Sequence, residues 1–485
     1  MPTENSLNSR HAERGLLALG VLACLYFHLR GLSAMPGLHY DEAWAMNYSW
    51  RIGFEPGFWP WQAMSPYTAP WAHYWAALWM KLFSPSLLVF RLSQVALSLS
   101  AIFLFTHELF RMGQRRAAAF FPLAVVFLPG LLLNHRFAIE LNGLHPFLFA
   151  LLFAALARGR VAWAAAFWVI GSTGHILFYA VGLSLLAACL WEKREFSSPE
   201  RRAISLASAA LGLFFLRVFF SVPEKGKAAA LVISALALIA IMEFPRARRA
   251  LDYFPRWSYL PAILGAVFFV NLVFFAEGTW TTALFTGVAS WEADPRMLFL
   301  FPPLFAWLAW KQLEKTPALL RNWFWFGLVL LGLMMLKPAP RYFEIPLFAL
   351  ALLLASALAN RPRRQIWLGC AALSLHAGLI YFSPLSAPPK EAELHLFFYK
   401  DSSRDFLAKQ KLAQFLGGVG CGLNDIKSVD SRVGEALLAL SREDWQIHGG
   451  PCPWNELSVT RSKESGTQLP TIADFVLEGK AADGT

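Results

Sequence analysis

Apolar residues run along this chain in long blocks separated by short clusters of charge, a pattern of whole helices buried in an apolar medium, not of one buried helical face. Reading each block as a span gives thirteen, near 15–33, 86–110, 117–133, 139–157, 161–173, 175–191, 203–221, 227–244, 258–276, 297–313, 321–336, 342–359 and 365–383. Several fall short of the ~20 residues of a straight crossing. The blocks 161–173 and 175–191 are separated only by Gly171-Ser172-Thr173-Gly174-His175; a single span there would leave twelve and reverse the sidedness of everything downstream. Two stretches lie outside the blocks, a loop at 34–85 and a polar tail at 384–485. The tail has helical spacing over Asp405–Leu416 and Arg432–Leu440. Its segments Trp445–His448, Leu457–Thr460 and Asp474–Leu477 alternate like short strands. The expected fold class is therefore an all-α polytopic membrane protein over 1–383, followed by a small α/β domain over 384–485.

Composition agrees. Hydrophobic residues are 56% of the 485 and charged residues 15%, against roughly 25% charged in a soluble domain. A soluble globule has no place for 42 Phe and 20 Trp at that charge, whereas a lipid bilayer does. Five Cys are too few for a disulfide scaffold, although Cys421 and Cys452 both fall in the tail, where they either pair or stay as buried thiols. The net charge of +11 suggests nucleic acid until it is divided by region. The tail holds 11 Lys+Arg and 14 Asp+Glu, so the excess of cations sits in the short loops of the apolar part. With the N-terminus inside, the cytoplasmic loops carry twenty-one Lys+Arg and the opposite side eight, as the positive-inside rule requires. The expectation is a multi-pass inner-membrane protein with a cytoplasmic N-terminus and a periplasmic tail, and no nucleic-acid partner. The first block follows a short basic N-terminus without a small-residue cleavage site, which reads as an uncleaved anchor.

On that topology the ionisable residues nearest the spans gather on the exported side, where charge beside lipid is costly and marks function. His39-Tyr40-Asp41-Glu42 opens the first loop. Arg136 and Glu140 follow in the run Asn134–Asn142, His175 at the 171–175 turn, and Lys337, Arg341 and Tyr342 near the last pair of spans. A carboxylate within reach of a hydroxyl removes its proton as it attacks, and Arg or Lys holds a departing phosphate. Simpler roles stand beside these. Asp41 and Glu42 also suit a solvated loop pair, Arg136 and Glu140 pair with each other on one helical face, and Lys337 and Arg341 suit headgroup contacts. Arg91 and Arg217 lie within spans and need either burial in the bundle or snorkelling. The loop's aromatic residues, among them Trp59, Trp61, Trp71 and Tyr74, fit an interfacial helix or a sugar-stacking platform.

The order of these segments resembles the GT-C fold membrane glycosyltransferases, in particular the protein O-mannosyltransferase and lipid A aminoarabinose transferase group. The resemblance rests on Tyr40-Asp41-Glu42-Ala43-Trp44, on Ala69-Pro70-Trp71 through Lys81-Leu82-Phe83-Ser84-Pro85 to Arg91-Leu92-Ser93, and on Arg136-Phe137-Ala138-Ile139-Glu140. Thr173-Gly174-His175 and Arg341-Tyr342-Phe343-Glu344-Ile345-Pro346 complete it, the last with one residue more than the family's pattern before Pro. It covers residues 15–360 or so and leaves the tail unmatched. It implies transfer of a sugar from a polyprenyl-phosphate carrier to a protein, lipid or glycan acceptor at the exported face, with inversion. Asp41 would be the base with Glu42 in support, and Arg136, Lys337 and Arg341 would bind the carrier phosphate. His39, Tyr40, Glu140, His175 and Tyr342 would line the cavity. No Asp-X-Asp metal motif is present, so no metal is expected to be obligatory, with a divalent ion at Asp41 as the variant on that theme. The rival classes are a lipid or solute transporter, which would carry charge deep in several spans, and a non-catalytic membrane scaffold.

Overall fold

The computed structural model describes residues 4–33, 40–136, 138, 143–192, 194–223, 225–247 and 344–382, with 412, 416, 426–429, 454–461, 471–472 and 475–481 in the tail. The blocks expected at 258–276, 297–313 and 321–336 lie outside the described residues. Where the chain is described up to residue 382, its regular structure is helical. Helix α1 spans Glu4–Leu29, α2 Tyr40–Phe54, α3 Trp71–Leu82 and α4 Leu87–Arg111. Helices α5 (Arg115–Val126), α6 (Pro129–Arg136), α7 (Leu144–Ala157), α8 (Val161–Gly174) and α9 (Ile176–Trp191) follow. Helices α10 (Ser198–Ser221), α11 (Lys225–Glu243), α12 (Glu344–Ala359) and α13 (Arg363–Phe382) complete the bundle.

Four stretches among the described residues are long and apolar enough to cross a membrane: His11–Leu29, Leu87–Arg111, Ser198–Ser221 and Lys225–Glu243. Their outer faces need lipid. Leu206, Leu213 and Phe220 on α10 and Ile233 and Leu236 on α11 all point outward, which water would penalise and hydrocarbon does not. The chain is a polytopic helical membrane protein. Its centre is an aromatic cluster in which Phe105 of α4 meets Phe149 of α7 and Phe348 of α12, each at 5.1 Å between ring centroids, and Phe121 of α5 at 5.8 Å. Helix α12 thus returns to the first half of the bundle. Helix α1 approaches α5 closely where Gly20 presses on Pro122 and Leu123, and an added Cβ there would stand 3.2 Å from Pro122.

Two expected blocks differ in detail. The block at 117–133 is not one helix but α5 and the short α6, broken at 127–128. Pro129 supplies no N–H and disfavours helical geometry in the residue before it, so α6 restarts with proline in its first position. The closely spaced blocks 161–173 and 175–191 are two helices, α8 and α9, folded back on each other. His175, at φ −159° and ψ 138°, is extended backbone between them. Residues 168 and 179 of one straight helix would stand about 16 Å apart. Here Trp168 stacks on Tyr179 at 5.3 Å and 7°, and its indole N–H donates to the Tyr179 carbonyl at 3.3 Å. The close pairs 171–178 and 168–182 are centred on the same turn, as an antiparallel hairpin demands.

In the tail, β1 (Ile426–Val429), β2 (Trp454–Arg461), β3 (Thr471–Ile472) and β4 (Phe475–Ala481) form one sheet in the order β1-β2-β4-β3. Strand β1 runs parallel to β2, and β4 runs antiparallel to both β2 and β3. The alternating segments around 457–460 and 474–477 pair directly, Val459 opposite Leu477. Leu412 and Leu416 are helical and buried. The remaining tail segments, including Trp445–His448, lie outside the described residues.

The hairpin makes a testable demand. A Cβ at Gly182 would stand 2.0 Å from the Trp168 indole nitrogen. Gly182→Leu is expected to cost about 1–3 kcal/mol or more through overpacking and to lower the melting temperature of the purified protein in detergent. An unchanged melting temperature would place α8 and α9 apart.

Candidate functional site

The first segment after α1 is held to the bundle by one buried ion pair. Gly31, at φ 61°, turns the chain at the end of α1. Glu42, in the first turn of α2, points inward and is fully buried, as is Arg91 of α4. Arg91 donates from Nε to one Glu42 oxygen at 2.8 Å and from Nη2 to the other at 2.7 Å, the two-pronged geometry that suits guanidinium and carboxylate. The remaining valences are met as well. Arg91 Nη1 donates to the Leu32 carbonyl at 2.9 Å, and the Ala138 N–H donates to Glu42 at 3.1 Å. Four separate segments therefore meet at one carboxylate and one guanidinium.

A second arginine completes the joint. Arg136, at the end of α6, donates through both Nη atoms to the carbonyls of Phe27 and Arg30. These are the carbonyls that the end of α1 leaves without helical partners, and a cation there also meets the negative end of the helix dipole. Beneath it His28 and His135 share a hydrogen bond between ring nitrogens at 3.0 Å, and His28 Nδ1 contacts the Cys24 carbonyl oxygen at 2.7 Å.

Helices α2 and α3 lie against each other through Ser49 and His73, 3.0 Å apart, with Trp44 and Tyr48 packed edge-on to the His73 ring. The loop between them is tied by Tyr74, whose hydroxyl donates to the Pro60 carbonyl at 3.0 Å; burial holds this phenol above its ordinary pKa, so it stays a donor. Trp75 donates to the Ser93 carbonyl at 2.9 Å and fixes α3 to α4. The same layer reaches the α8–α9 turn. The Ala69 N–H donates to the Thr173 carbonyl at 2.8 Å, and the Trp71 indole to the Thr173 hydroxyl at 3.1 Å. Trp59 and Trp61 stay exposed on the outer side of this layer, with Trp59 stacked on Tyr74.

Three of the segments singled out in the sequence converge. The Tyr40–Glu42 motif, the 136–138 segment and Thr173-Gly174-His175 all stand at one end of the bundle. The opposite end collects arginines: Arg158 and Arg111 on Glu108, Arg116 on Glu13, Arg194 on Glu200, with Arg160, Arg201 and Arg202 beside them.

Several individual expectations change. Glu42 is no solvated loop carboxylate, and with every oxygen engaged by Arg91 and Ala138 it positions α2. Arg136 spends its Nη atoms on α1 carbonyls, a structural contact beside the phosphate-binding role expected of it. No Arg136–Glu140 pairing enters this description, since Glu140 lies outside the described residues. His175 is half-buried and caps α9, its Nδ1 accepting from the Leu177 N–H at 3.2 Å, with the buried His145 ring 6.0 Å away. Asp41 and Tyr40 belong to α2 by backbone, but their side chains are outside the described residues. So are His39, Lys337, Arg341, Tyr342, Cys421 and Cys452 altogether. The sequence reading missed His73, His145 and the His28–His135 pair. It flagged Arg91 without a partner, and a fully buried guanidinium in the second turn of an apolar helix requires one.

No family model matches this chain, and no curated protein matches it. Among solved structures the fold is similar to ArnT from Cupriavidus metallidurans bound to undecaprenyl phosphate, at 18% identity and a TM-score of 0.47 over 88% of this chain and 75% of that one. The same protein in the apo state gives 16% identity and a TM-score of 0.48 over 89% and 75%. The Archaeoglobus fulgidus oligosaccharyltransferase in complex with Zn and sulfate gives 12% and 0.45 over 78% and 54%.

The ion pair predicts asymmetric losses. Glu42→Met or Arg91→Met alone leaves a buried charge without its partner and is expected to cost about 3–5 kcal/mol. The double replacement Glu42→Met with Arg91→Met is expected to cost less than the sum of the single changes. Thermal unfolding of the four proteins in one detergent measures this, and additive losses would show that the two residues do not interact.

Proposed function

We propose that this chain is an integral membrane glycosyltransferase that passes a sugar from a polyprenyl-phosphate carrier to a protein, lipid or glycan acceptor at the exported face, with inversion at the anomeric carbon. One observation carries the reading: the acidic motif, the Arg136 segment and the Thr173–His175 turn, which are far apart in sequence and ordered as in the GT-C transferases they resemble, meet at one end of the bundle.

In this mechanism the acceptor hydroxyl attacks the anomeric carbon as the bond from that carbon to the carrier phosphate breaks. Asp41 takes the hydroxyl proton, and Lys337 and Arg341 stabilise the charge growing on the departing polyprenyl phosphate. Glu42 does not touch the reactants; bound to Arg91, it holds the turn that carries Asp41. His39, Tyr40, Glu140, His175 and Tyr342 line the cavity. A lipid phosphate is stabilised by cations alone, so the reaction needs no obligatory metal. The proposed topology has thirteen spans, the N-terminus and the arginine-rich end in the cytoplasm, and the Glu42 end and the 384–485 domain in the periplasm.

Membranes containing the protein are given a panel of radiolabelled polyprenyl-phosphate sugars. Label is expected to move to a lipid or protein fraction with one donor, to fall by about 10²–10⁴-fold in Asp41→Asn, and to persist in a chelator. Equal transfer by Asp41→Asn would remove Asp41 as base. Loss of transfer on chelation, restored by one divalent ion, would overturn the metal-free mechanism. No transfer by folded wild type with any donor would favour a transporter.

A further inference from the structure

At the end of the bundle away from Glu42, helices α7, α8, α9 and α10 leave a slit between them. It holds about 450 Å³ including its open side and is lined by Leu156, Val161, Ala165, Trp168, Leu185 and Phe196 among others. The lining is apolar throughout. Even the Trp168 indole N–H is already engaged, donating to the Tyr179 carbonyl, so water gains nothing by entering. From Val161 to Trp168 the slit follows α8 for about 10 Å. A narrow apolar slit of that length suits hydrocarbon chain, which has no hydrogen bonds to satisfy, and not a polypeptide backbone, which has.

The rim is built for an anion. The described residues of 158–160 and 192–202 together carry five Arg against three Glu. Arg160 immediately precedes the lining residue Val161, at the start of α8. Arg194 lies over the ring of Phe196, 5.5 Å from its centre, and Arg201 donates to the Phe196 carbonyl at 2.7 Å. Some of this charge is neutralised, since Arg158 pairs with Glu108 and Arg194 with Glu200 at 3.6 Å. Arg160 and Arg202 are exposed and form no ion pair among the described residues.

We propose that this slit is a binding site for an anionic phospholipid, its acyl chain between α8 and α10 and its phosphate headgroup on Arg160, Arg201 and Arg202. The site is separate from the transfer chemistry and does not depend on it. It stands at the opposite end of the bundle from the Glu42–Arg91 joint, and the distribution of loop charge puts that end in the leaflet facing the cytoplasm. Anionic lipids of that leaflet supply the matching charge, and each arginine near such a headgroup contributes several-fold in affinity. The occupant braces the four helix ends that the slit leaves apart.

The test uses the full-length protein in detergent, exchanged into equal amounts of dioleoyl-phosphatidylglycerol and dioleoyl-phosphatidylcholine and examined by native mass spectrometry. Wild type is expected to retain the anionic lipid about tenfold over the zwitterionic one. Replacing Arg160→Gln together with Arg202→Gln should abolish the preference while retaining some lipid. Ala165→Phe, which fills the slit, should lower retention of both lipids. Equal retention of the two lipids by wild type would mean ordinary boundary lipid and would overturn the proposal. So would a preference that survives both variants, or displacement of the phospholipid by polyprenyl phosphate in competition at equal concentration.

Discussion

A carboxylate and a guanidinium, both wholly removed from water, hold the end of this bundle together. Glu42 and Arg91 satisfy each other by two parallel hydrogen bonds, and their remaining groups reach Leu32 and Ala138. Such a pair adds little net stability over well-packed apolar residues, because both charges had to be desolvated. What it supplies is position: the end of α1, α2, α4 and Ala138 are all tied to this one pair. Arg136 repeats the device on the last carbonyls of α1. Since Asp41 is the neighbour of Glu42 on α2, the placement of the proposed base follows from a contact one residue away. A site that must discriminate by geometry at the lipid boundary gains from this, because a loop there would otherwise choose among many positions.

Much of this fold could be read from the sequence, because in a membrane the apolar run and the helix nearly coincide. Blocks at 86–110, 203–221 and 227–244 match α4, α10 and α11 within a few residues. Even the turn at 171–175 was visible, since two glycines and a histidine interrupt an otherwise apolar stretch. Hydropathy alone did not reveal that Pro129 breaks its block, because the break costs no apolar character. Nor did it reveal α2 and α3 as a layer. Their apolar faces meet each other and α4 through Trp75, and such pairing depends on tertiary contact.

For the site, the residue types were legible and their division of labour was not. Adjacent acidic residues in a loop look alike in sequence, yet neighbouring positions on a helix face about 100° apart, so only one of two can turn into the bundle. The guanidinium of Arg91, within the apolar part of α4, was the available signal, since a buried charge implies a counter-charge and the motif after α1 offered candidates. The contact of Arg136 with the last carbonyls of α1 was not legible, because charge and hydropathy do not mark which helix end presents bare carbonyls to which cation.

The proposed carrier-phosphate site stands at the Glu42 end, and the proposed anionic-phospholipid site at the arginine-rich end. A polyprenyl phosphate bearing a diazirine in its first isoprene unit would decide between the ends. After photolysis and proteolysis, the account predicts adducts on peptides containing Tyr40–Glu42 or residues 337–346. Adducts confined to 158–160 and 192–202 would contradict it, placing the carrier at the other end of the bundle.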